Sequence, residues 1–113
     1  MGSKLRVAIA GVPRGVYFLP GLRACGEAEV VALCDVDEGT LSEALQTTGV
    51  TQGYTLYEKM LEEVRPDAVV VSTPMQFHVP QSIAALQRGI HVLSEVTAAV
   101  SMDEARWLVQ ACK

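Results

Sequence analysis

Four short apolar runs, separated by stretches with helical spacing, constrain the fold of this chain most strongly. The runs are rich in β-branched residues and occupy positions 5–11, 29–35, 67–73 and 90–95. Runs without alternating polar residues are typical of strands in a parallel sheet that is covered on both faces. Their regular alternation with helices therefore predicts a doubly wound α/β fold with right-handed crossovers.

The stretches between the runs carry helical patterns and helix stop signals. In "LYEKMLEEV" the apolar residues Leu56, Met60, Leu61 and Val64 recur at the spacing of one helix face. The glycines that suit a left-handed C-terminal cap are Gly26, Gly49 and Gly89. Ser101 and Glu104 have the spacing of an N-terminal capping box. The predicted helices cover residues 16–26, 38–49, 56–64, 80–89 and 101–113.

A weak edge strand at 53–57 brings the predicted sheet to about five strands. We expect the strand order 3-2-1-4-5, with a ligand bound outside the carboxyl ends of the strands, where the order reverses. A chain of 113 residues has room for one hydrophobic core. We therefore expect one domain over residues 1–113.

Charge and hydropathy exclude several function classes. The formal net charge is −4, and no cluster of Lys and Arg is present to neutralise a row of phosphates, so nucleic acid is not expected as a partner. No apolar run reaches the roughly 18 residues of a membrane span, and the N-terminus lacks a signal-peptide core. A cytoplasmic location is the expectation, and the sequence says little about assembly.

The cysteines do not suggest a disulfide framework or a metal site. Cys25, Cys34 and Cys112 are odd in number and widely spaced. Because each has apolar neighbours in sequence, we interpret all three as reduced packing residues.

The turn after the first run is close to the glycine loop that holds a dinucleotide pyrophosphate. In "GVPRG" the glycines Gly11 and Gly15 allow a sharp strand-to-helix turn and a close approach of backbone to phosphate. Pro13 stands where the G-x-G-x-x-G pattern has its second glycine and has no N–H to donate, and the loop is one residue short. The segment is either a phosphate-binding loop or an ordinary tight turn.

An acidic residue after the second run favours the nucleotide interpretation. Asp35 follows Gly11 by 24 residues, close to the offset of about 20 at which a carboxylate accepts hydrogen bonds from a ribose diol. The other interpretation is a solvated aspartate that helps Asp37 to cap the next helix. A carboxylate here would repel a 2′-phosphate, which predicts NAD in preference to NADP. Arg14 could pair with the pyrophosphate or stand in solvent, the commoner fate of a loop arginine.

The segment "STPMQFHVPQSIAALQRGIHVLSEV" (72–96), together with "VVALCDVD" before it, resembles the N-terminal domain of the Gfo/Idh/MocA oxidoreductases. The resemblance runs from about Lys4 to the last residue. It implies a Rossmann domain that binds NAD or NADP, followed by a larger α/β domain with the sugar or polyol site and the oligomer contacts. The residues that match the family pattern are Thr73, Pro74, His78, Gly89, His91, Val92 and Glu95.

The resemblance also implies roles for individual residues. The loop would consist of Gly11, Val12, Pro13, Arg14 and Gly15. Asp35 would hold the adenosine ribose, Thr73 and Pro74 would line the cofactor, and His78 and Glu95 would lie toward the nicotinamide half. Judged from its residue type and position alone, His78 is an N-terminal helix residue with a structural role.

Two departures from the family pattern bear on catalysis. Met75 stands where the family usually has Asn, and Val96 stands where it has the Lys of an E-K-P motif. In the family that lysine contacts the reacting hydroxyl and helps to move its proton, so no catalytic residue is assigned here. The expected function is the NAD-binding part of a dehydrogenase that transfers hydride to or from a sugar or polyol. We expect a shortened chain that lacks the substrate domain and is inactive alone. The alternative is a non-catalytic nucleotide-binding or sensing module with a decayed loop.

Overall fold

A five-stranded parallel sheet forms the centre of the computed structural model, which describes residues 4–95, 99 and 101–113. The strand order is β3-β2-β1-β4-β5, and every neighbouring pair is parallel. This order confirms the predicted doubly wound α/β fold and its topology. The strands are β1 (Leu5–Ala10), β2 (Ala28–Cys34), β3 (Gln52–Tyr54), β4 (Ala68–Val71) and β5 (His91–Ser94).

Helices connect the strands and follow the last of them. They are α1 (Val12–Gly15), α2 (Leu19–Cys25), α3 (Glu38–Thr48), α4 (Tyr57–Val64), α5 (His78–Gln87) and α6 (Met102–Cys112). Short 3-10 turns at Val16–Phe18 and Met75–Phe77 lead into α2 and α5. The first helical segment therefore begins four residues before the predicted position 16, because Gly11 ends β1 in a left-handed conformation and Pro13 is tolerated in a first helical turn.

Hydrophobic clusters cover both faces of the sheet. On one face the alanines of β1 pack with Met60, Leu61 and Val64 of α4. On the other face Val7 and Ile9 of β1 pack with apolar side chains of α2 and α3. The apolar face predicted for α4 is wrong at one of its four residues. Leu56 lies at the N-cap, ahead of the helix, and is 64% exposed.

The cysteine interpretation is correct for one residue of three. Cys34, the last residue of β2, is buried, whereas Cys25 and Cys112 are exposed. Both exposed cysteines are the last residues of their helices, where the helix end reaches the surface. The apolar neighbours in sequence did not reveal this because burial on a helix depends on its face.

The predicted helix ends are confirmed with small shifts. Gly26 and Gly49 are left-handed C-terminal caps, and Gly89, which follows the C-cap residue Arg88 of α5, has a φ of 74°. Ser101 caps α6 by accepting a hydrogen bond from the backbone N–H of Glu104 at 3.1 Å. Within the described ranges, every helix is too short or too polar to cross a membrane.

Candidate functional site

A cleft of about 690 Å³ lies at the carboxyl ends of the strands. The chain enters it at four strand ends, with Gly11 after β1, Asp35 after β2, Thr73 after β4 and Glu95 after β5. The sequence analysis predicted a ligand site at this edge of the sheet. The topology brings together residues that are up to 84 positions apart.

Gly11 makes the turn from β1 into α1 at a point of close backbone contact. Its φ is 89°, and a Cβ atom there would lie 2.5 Å from the carbonyl carbon of Ser72 and 2.6 Å from the backbone nitrogen of Thr73. Only glycine fits both the left-handed conformation and this contact. The ends of β1 and β4 are thereby held against each other at the floor of the cleft.

Gly15 allows α1 to approach the sheet, although the loop is one residue shorter than the usual pattern. A Cβ atom at this position would overlap Cγ2 of Ile9 and lie 2.7 Å from the hydroxyl of Ser72. Close packing of helix on strand is the role of the third glycine in a dinucleotide-binding loop. Gly15 is buried behind the loop and does not line the cleft.

Ser72 is a site residue that the sequence analysis missed. Its buried hydroxyl lies 2.9 Å from the carbonyl oxygens of both Ala10 and Gly11, and its backbone N–H donates to Ala10. The side chain therefore fixes the first residues of the loop from the neighbouring strand. The only sequence signal was a small polar residue directly after the apolar run of β4.

The backbone of α1 offers few N–H groups to a ligand. The N–H of Val12 donates to Oδ2 of Asp35 at 3.1 Å, and the N–H of Gly15 donates to the carbonyl of Gly11 at 2.8 Å. Pro13 has no N–H. Three of the four residues of α1 thus have their backbone donors engaged or missing.

Asp35 lies between the loop and the start of α3. Besides the bond from Val12, its Oδ1 accepts from the backbone N–H of Asp37 at 2.9 Å. Asp37 is the N-cap of α3, and hydrogen bonds from the hydroxyl and the N–H of Thr40 lower the pKa of Asp37. Asp35 therefore lines the cleft beyond β2, and the carboxylate of Asp37 caps the helix that follows.

Arg14 forms an ion pair with Glu95 across the end of β4. Nη2 of Arg14 lies 3.0 Å from Oε2 of Glu95, and Nε donates to Oε1 at 3.4 Å. The arginine side chain is 70% exposed and the glutamate side chain 16%. The loop after β1 is thereby joined to the end of β5.

A hydrogen-bond network supports the chain after β4. The hydroxyl of Thr73 donates to Oε1 of Gln81 at 2.5 Å, and Nε2 of His78 lies 2.6 Å from the carbonyl oxygen of Thr73. The hydroxyl of Tyr57, on α4, donates to the carbonyl of Gln81 at 2.8 Å. His78 is 1% exposed, so it acts here as a packed side chain at the start of α5.

Two weak acids that line the cleft, the buried Cys34 and the half-buried Tyr57, are held in their protonated forms. Burial, and secondarily the charge of Asp35, raises the pKa of Cys34 to about 12. Burial also raises the pKa of Tyr57, with smaller contributions from Cys34 and Glu58. Neither group is poised to take a proton at neutral pH.

Apolar side chains form the outer walls of the cleft. Val36, Met75 and Phe77 line it and are 87%, 53% and 48% exposed. Large apolar groups around a concave site are typical of surfaces that bind a flat ring. Val36 and Phe77 were not predicted as site residues, and Met75 was noted only as a departure from the family pattern.

Most of the predicted site residues meet in this cleft. The eight that line it are Gly11, Pro13, Arg14, Asp35, Thr73, Pro74, His78 and Glu95. The other two, Val12 and Gly15, are buried directly behind it and shape the loop. Val96, which stands where the family has a lysine, lies outside the residues that the structure describes.

Comparison with known proteins agrees with this geometry. Residues 5–113 match the sequence model of the Gfo/Idh/MocA family, which is described as an oxidoreductase family with an NAD-binding Rossmann fold. Two solved structures superpose closely on the chain. One is the WlbA dehydrogenase of Bordetella pertussis in complex with NADH and UDP-GlcNAcA, with a TM-score of 0.88 and 31% identity over 96% of this chain and 34% of that one. The other is myo-inositol 2-dehydrogenase of Lactobacillus plantarum, with a TM-score of 0.89 and 28% identity over 96% and 33%.

Curated relatives carry two kinds of name. A glycosyl hydrolase family 109 protein of Stenotrophomonas maltophilia is 32% identical over 91% of this chain and 25% of its own length. The D-glucoside 3-dehydrogenase of Escherichia coli is 31% identical over 92% of this chain and 30% of its own length. The chain thus spans about a quarter to a third of the proteins it matches.

Proposed function

This chain belongs to the Gfo/Idh/MocA oxidoreductase family, and on that premise we propose that its cleft binds NAD(H). The observation that carries the proposal is the meeting of the Gly11 turn and the Asp35 carboxylate in one cleft at the strand carboxyl ends. The volume of about 690 Å³ lies within the range of cofactor and ligand pockets. Val36, Met75 and Phe77 supply apolar surface for the adenine ring.

Asp35 supports NAD in preference to NADP. Backbone N–H groups of Val12 and Asp37 fix its carboxylate at the end of β2, where a ribose diol would meet it. A 2′-phosphate at the same place would face the carboxylate of Asp35. Among the described residues that line the cleft, the only lysine or arginine is Arg14, which is paired with Glu95.

For the whole protein we propose hydride transfer to or from a sugar or polyol, with the substrate site in sequence outside the matched region. The nicotinamide ring supplies the hydride chemistry when the cofactor is bound. This chain would bind the dinucleotide and orient it. Its relatives named as D-glucoside 3-dehydrogenase and myo-inositol 2-dehydrogenase support this substrate class.

The isolated chain is proposed to bind without turnover. Oxidation of an alcohol needs a group that takes the hydroxyl proton, a contribution of typically 10²- to 10⁴-fold. Within the described part of the cleft, Cys34 and Tyr57 hold their protons and Glu95 is paired with Arg14. The family lysine is replaced by Val96.

A second candidate activity for the whole protein is glycoside hydrolysis. The relatives named as glycosyl hydrolase family 109 proteins support it, at 32% identity. The two candidates are separated by their products. Formation of NADH with a free sugar or polyol supports the dehydrogenase, and release of nitrophenol from a nitrophenyl glycoside without net NADH supports the hydrolase.

The nucleotide proposal is tested by titrating the 113-residue chain with NADH and NADPH and following nicotinamide fluorescence. We expect saturable NADH binding and weaker NADPH binding. Calorimetry with NAD provides a second readout that does not depend on fluorescence. Absence of binding to either cofactor at millimolar concentration would overturn the proposal and favour a decayed, non-binding loop.

A further inference from the structure

The guanidinium of Arg14 is the one fixed side-chain cation in the described lining of the cleft. It projects from the loop at the residue after Pro13 and is ion-paired with Glu95, at the end of β5. A pyrophosphate bound near this loop needs groups that neutralise its charge. The backbone of the loop itself supplies few such groups.

The backbone supplies few of the usual donors. In a dinucleotide-binding loop, N–H groups at the start of the helix face the phosphates. Here the Val12 N–H is bonded to Asp35, residue 13 is proline, and the Gly15 N–H is bonded to Gly11. In this loop a side chain is suited to take the place of those N–H groups in holding a pyrophosphate.

We infer that Arg14 binds the pyrophosphate of the dinucleotide and that Glu95 is the positioning residue that orients its guanidinium. This inference rests on the proposed NAD(H) function and assigns the phosphate contact within it. A guanidinium has five N–H donors in a planar fork. Glu95 pairs through Nε and Nη2, so both N–H groups of Nη1 and one of Nη2 lie outside this ion pair.

Glu95 is suited to orient the guanidinium of Arg14 and to stay in place when a pyrophosphate binds. Its side chain is only 16% exposed, and its backbone N–H donates to the carbonyl of Val71 at 3.0 Å, which fixes it to the sheet. Arg14 is 70% exposed and would otherwise sample many rotamers. An ion pair this exposed contributes little to stability, so holding the guanidinium in place is the larger effect.

The test compares ligands that do and do not contain phosphates. NAD, ADP and adenosine are titrated against the wild-type chain and against Arg14→Gln, Arg14→Lys and Arg106→Gln. Arg106 is the matched control, because it is 73% exposed and ion-paired with Asp103 but lies on α6. We expect Arg14→Gln to weaken NAD and ADP by about tenfold and to leave adenosine within about twofold.

The remaining variants sharpen the result. Arg14→Lys keeps the charge but loses the planar fork, so it should recover only part of the affinity. Arg106→Gln should change none of the three affinities. The affinity of wild type for NAD should fall with added salt, and Arg14→Gln should reduce that dependence.

Glu95 is tested by a double-mutant cycle on NAD affinity. Glu95→Gln should weaken NAD in the wild-type background and have no further effect in Arg14→Gln, because Glu95 acts through Arg14. Stronger NAD binding by Glu95→Gln would show that Glu95 competes with the pyrophosphate and would overturn its positioning role. Equal losses in both backgrounds would do the same.

Failure of the inference is distinguishable from failure of the proposed function. If wild type binds NAD and adenosine, and Arg14→Gln leaves the affinity for NAD unchanged, the role of Arg14 is wrong and the nucleotide function stands. If wild type binds neither, the nucleotide function itself fails.

Discussion

The backbone N–H of Val12 donates a hydrogen bond to the carboxylate of Asp35 at 3.1 Å, across a sequence separation of 23 residues. This bond joins the two features that the sequence analysis treated as independent signals, the glycine loop and the acid after β2. Its consequence is that Asp35 shapes the loop as well as facing the cleft. A variant of Asp35 therefore changes both the backbone geometry and the charge.

Replacing Asp35 by Asn should narrow the preference for NADH over NADPH by about tenfold, because the amide keeps the shape of the side chain and removes the charge that faces a 2′-phosphate. Fluorescence titration with both reduced cofactors measures the ratio. The stability of the fold should fall by about 1 kcal/mol, since two N–H groups lose a charged acceptor.

Asp37→Asn is the control for the Asp35 prediction. It removes a carboxylate two residues away that caps α3, and because Asn is about as good an N-cap as Asp, its effect on stability and on the cofactor ratio should be small. If both variants changed the cofactor ratio equally, the special role of Asp35 would be contradicted.

Replacing Gly15 by Ala should destabilise the fold by about 1–3 kcal/mol, because the new methyl group overlaps Ile9 and crowds the hydroxyl of Ser72. Urea unfolding followed by circular dichroism measures the change. NAD binding should fall with it, since α1 must move away from the sheet.

Gly21→Ala is the matched control, because Gly21 lies within α2 and a Cβ atom there would have no atom within 4 Å apart from those of the adjoining helix backbone. It should raise stability by about 0.5–1 kcal/mol through helix propensity. A loss of stability in both variants would mean that the tight contact at Gly15 is not the cause.

The architecture was predictable because its signals are local. β-Branched runs mark buried strands, and glycines mark helix ends, so the strand order and most elements followed from pattern alone. The bounds moved by one to a few residues. β4, for example, ends at Val71 and not at residue 73, because a strand ends where its neighbour no longer pairs with it.

The cleft was predictable only in part because its details depend on which strand ends meet. Asp35 and Glu95 were found from motif positions, but the Arg14–Glu95 pair joins residues 81 positions apart. Ser72 and Gln81 carry no motif and gain their roles from neighbours that the fold supplies. Sequence patterns name residues with recognisable chemistry and miss those whose role is to hold others.

Cysteine accessibility gives a direct check on the packing of β2. At pH 8 a thiol reagent such as dithionitrobenzoate should modify Cys25 and Cys112 rapidly and leave Cys34 unmodified, because Cys34 is buried and burial raises its pKa to about 12. In denaturant all three should react. Cys34→Ala should leave the native count at two, and three rapidly reacting thiols in the native chain would contradict the structure.

Stability should decline in alkaline solution because of Cys34 and Tyr57. The pKa of Cys34 rises from 9.0 to about 12 on folding, and burial raises that of Tyr57 from 10.0. Below pH 9 both groups are protonated in the folded and the unfolded chain, so their titration does not lower the free energy of unfolding there. Above that pH the unfolded chain releases protons that the folded chain retains, which favours unfolding by up to about 1.4 kcal/mol per pH unit for each group.

Single variants assign this decline to its two sources. In Cys34→Ala the decline in the unfolding free energy from pH 9 to pH 10 should become shallower, because the Cys34 thiol is the first of the two groups to titrate in the unfolded chain. In Tyr57→Phe the slope above pH 10 should become shallower, at a cost of about 1 kcal/mol at neutral pH from the lost hydrogen bond to Gln81. Urea unfolding at half-unit intervals from pH 7 to pH 11 measures both slopes. Profiles of both variants that run parallel to wild type would mean that burial does not hold the proton on either group.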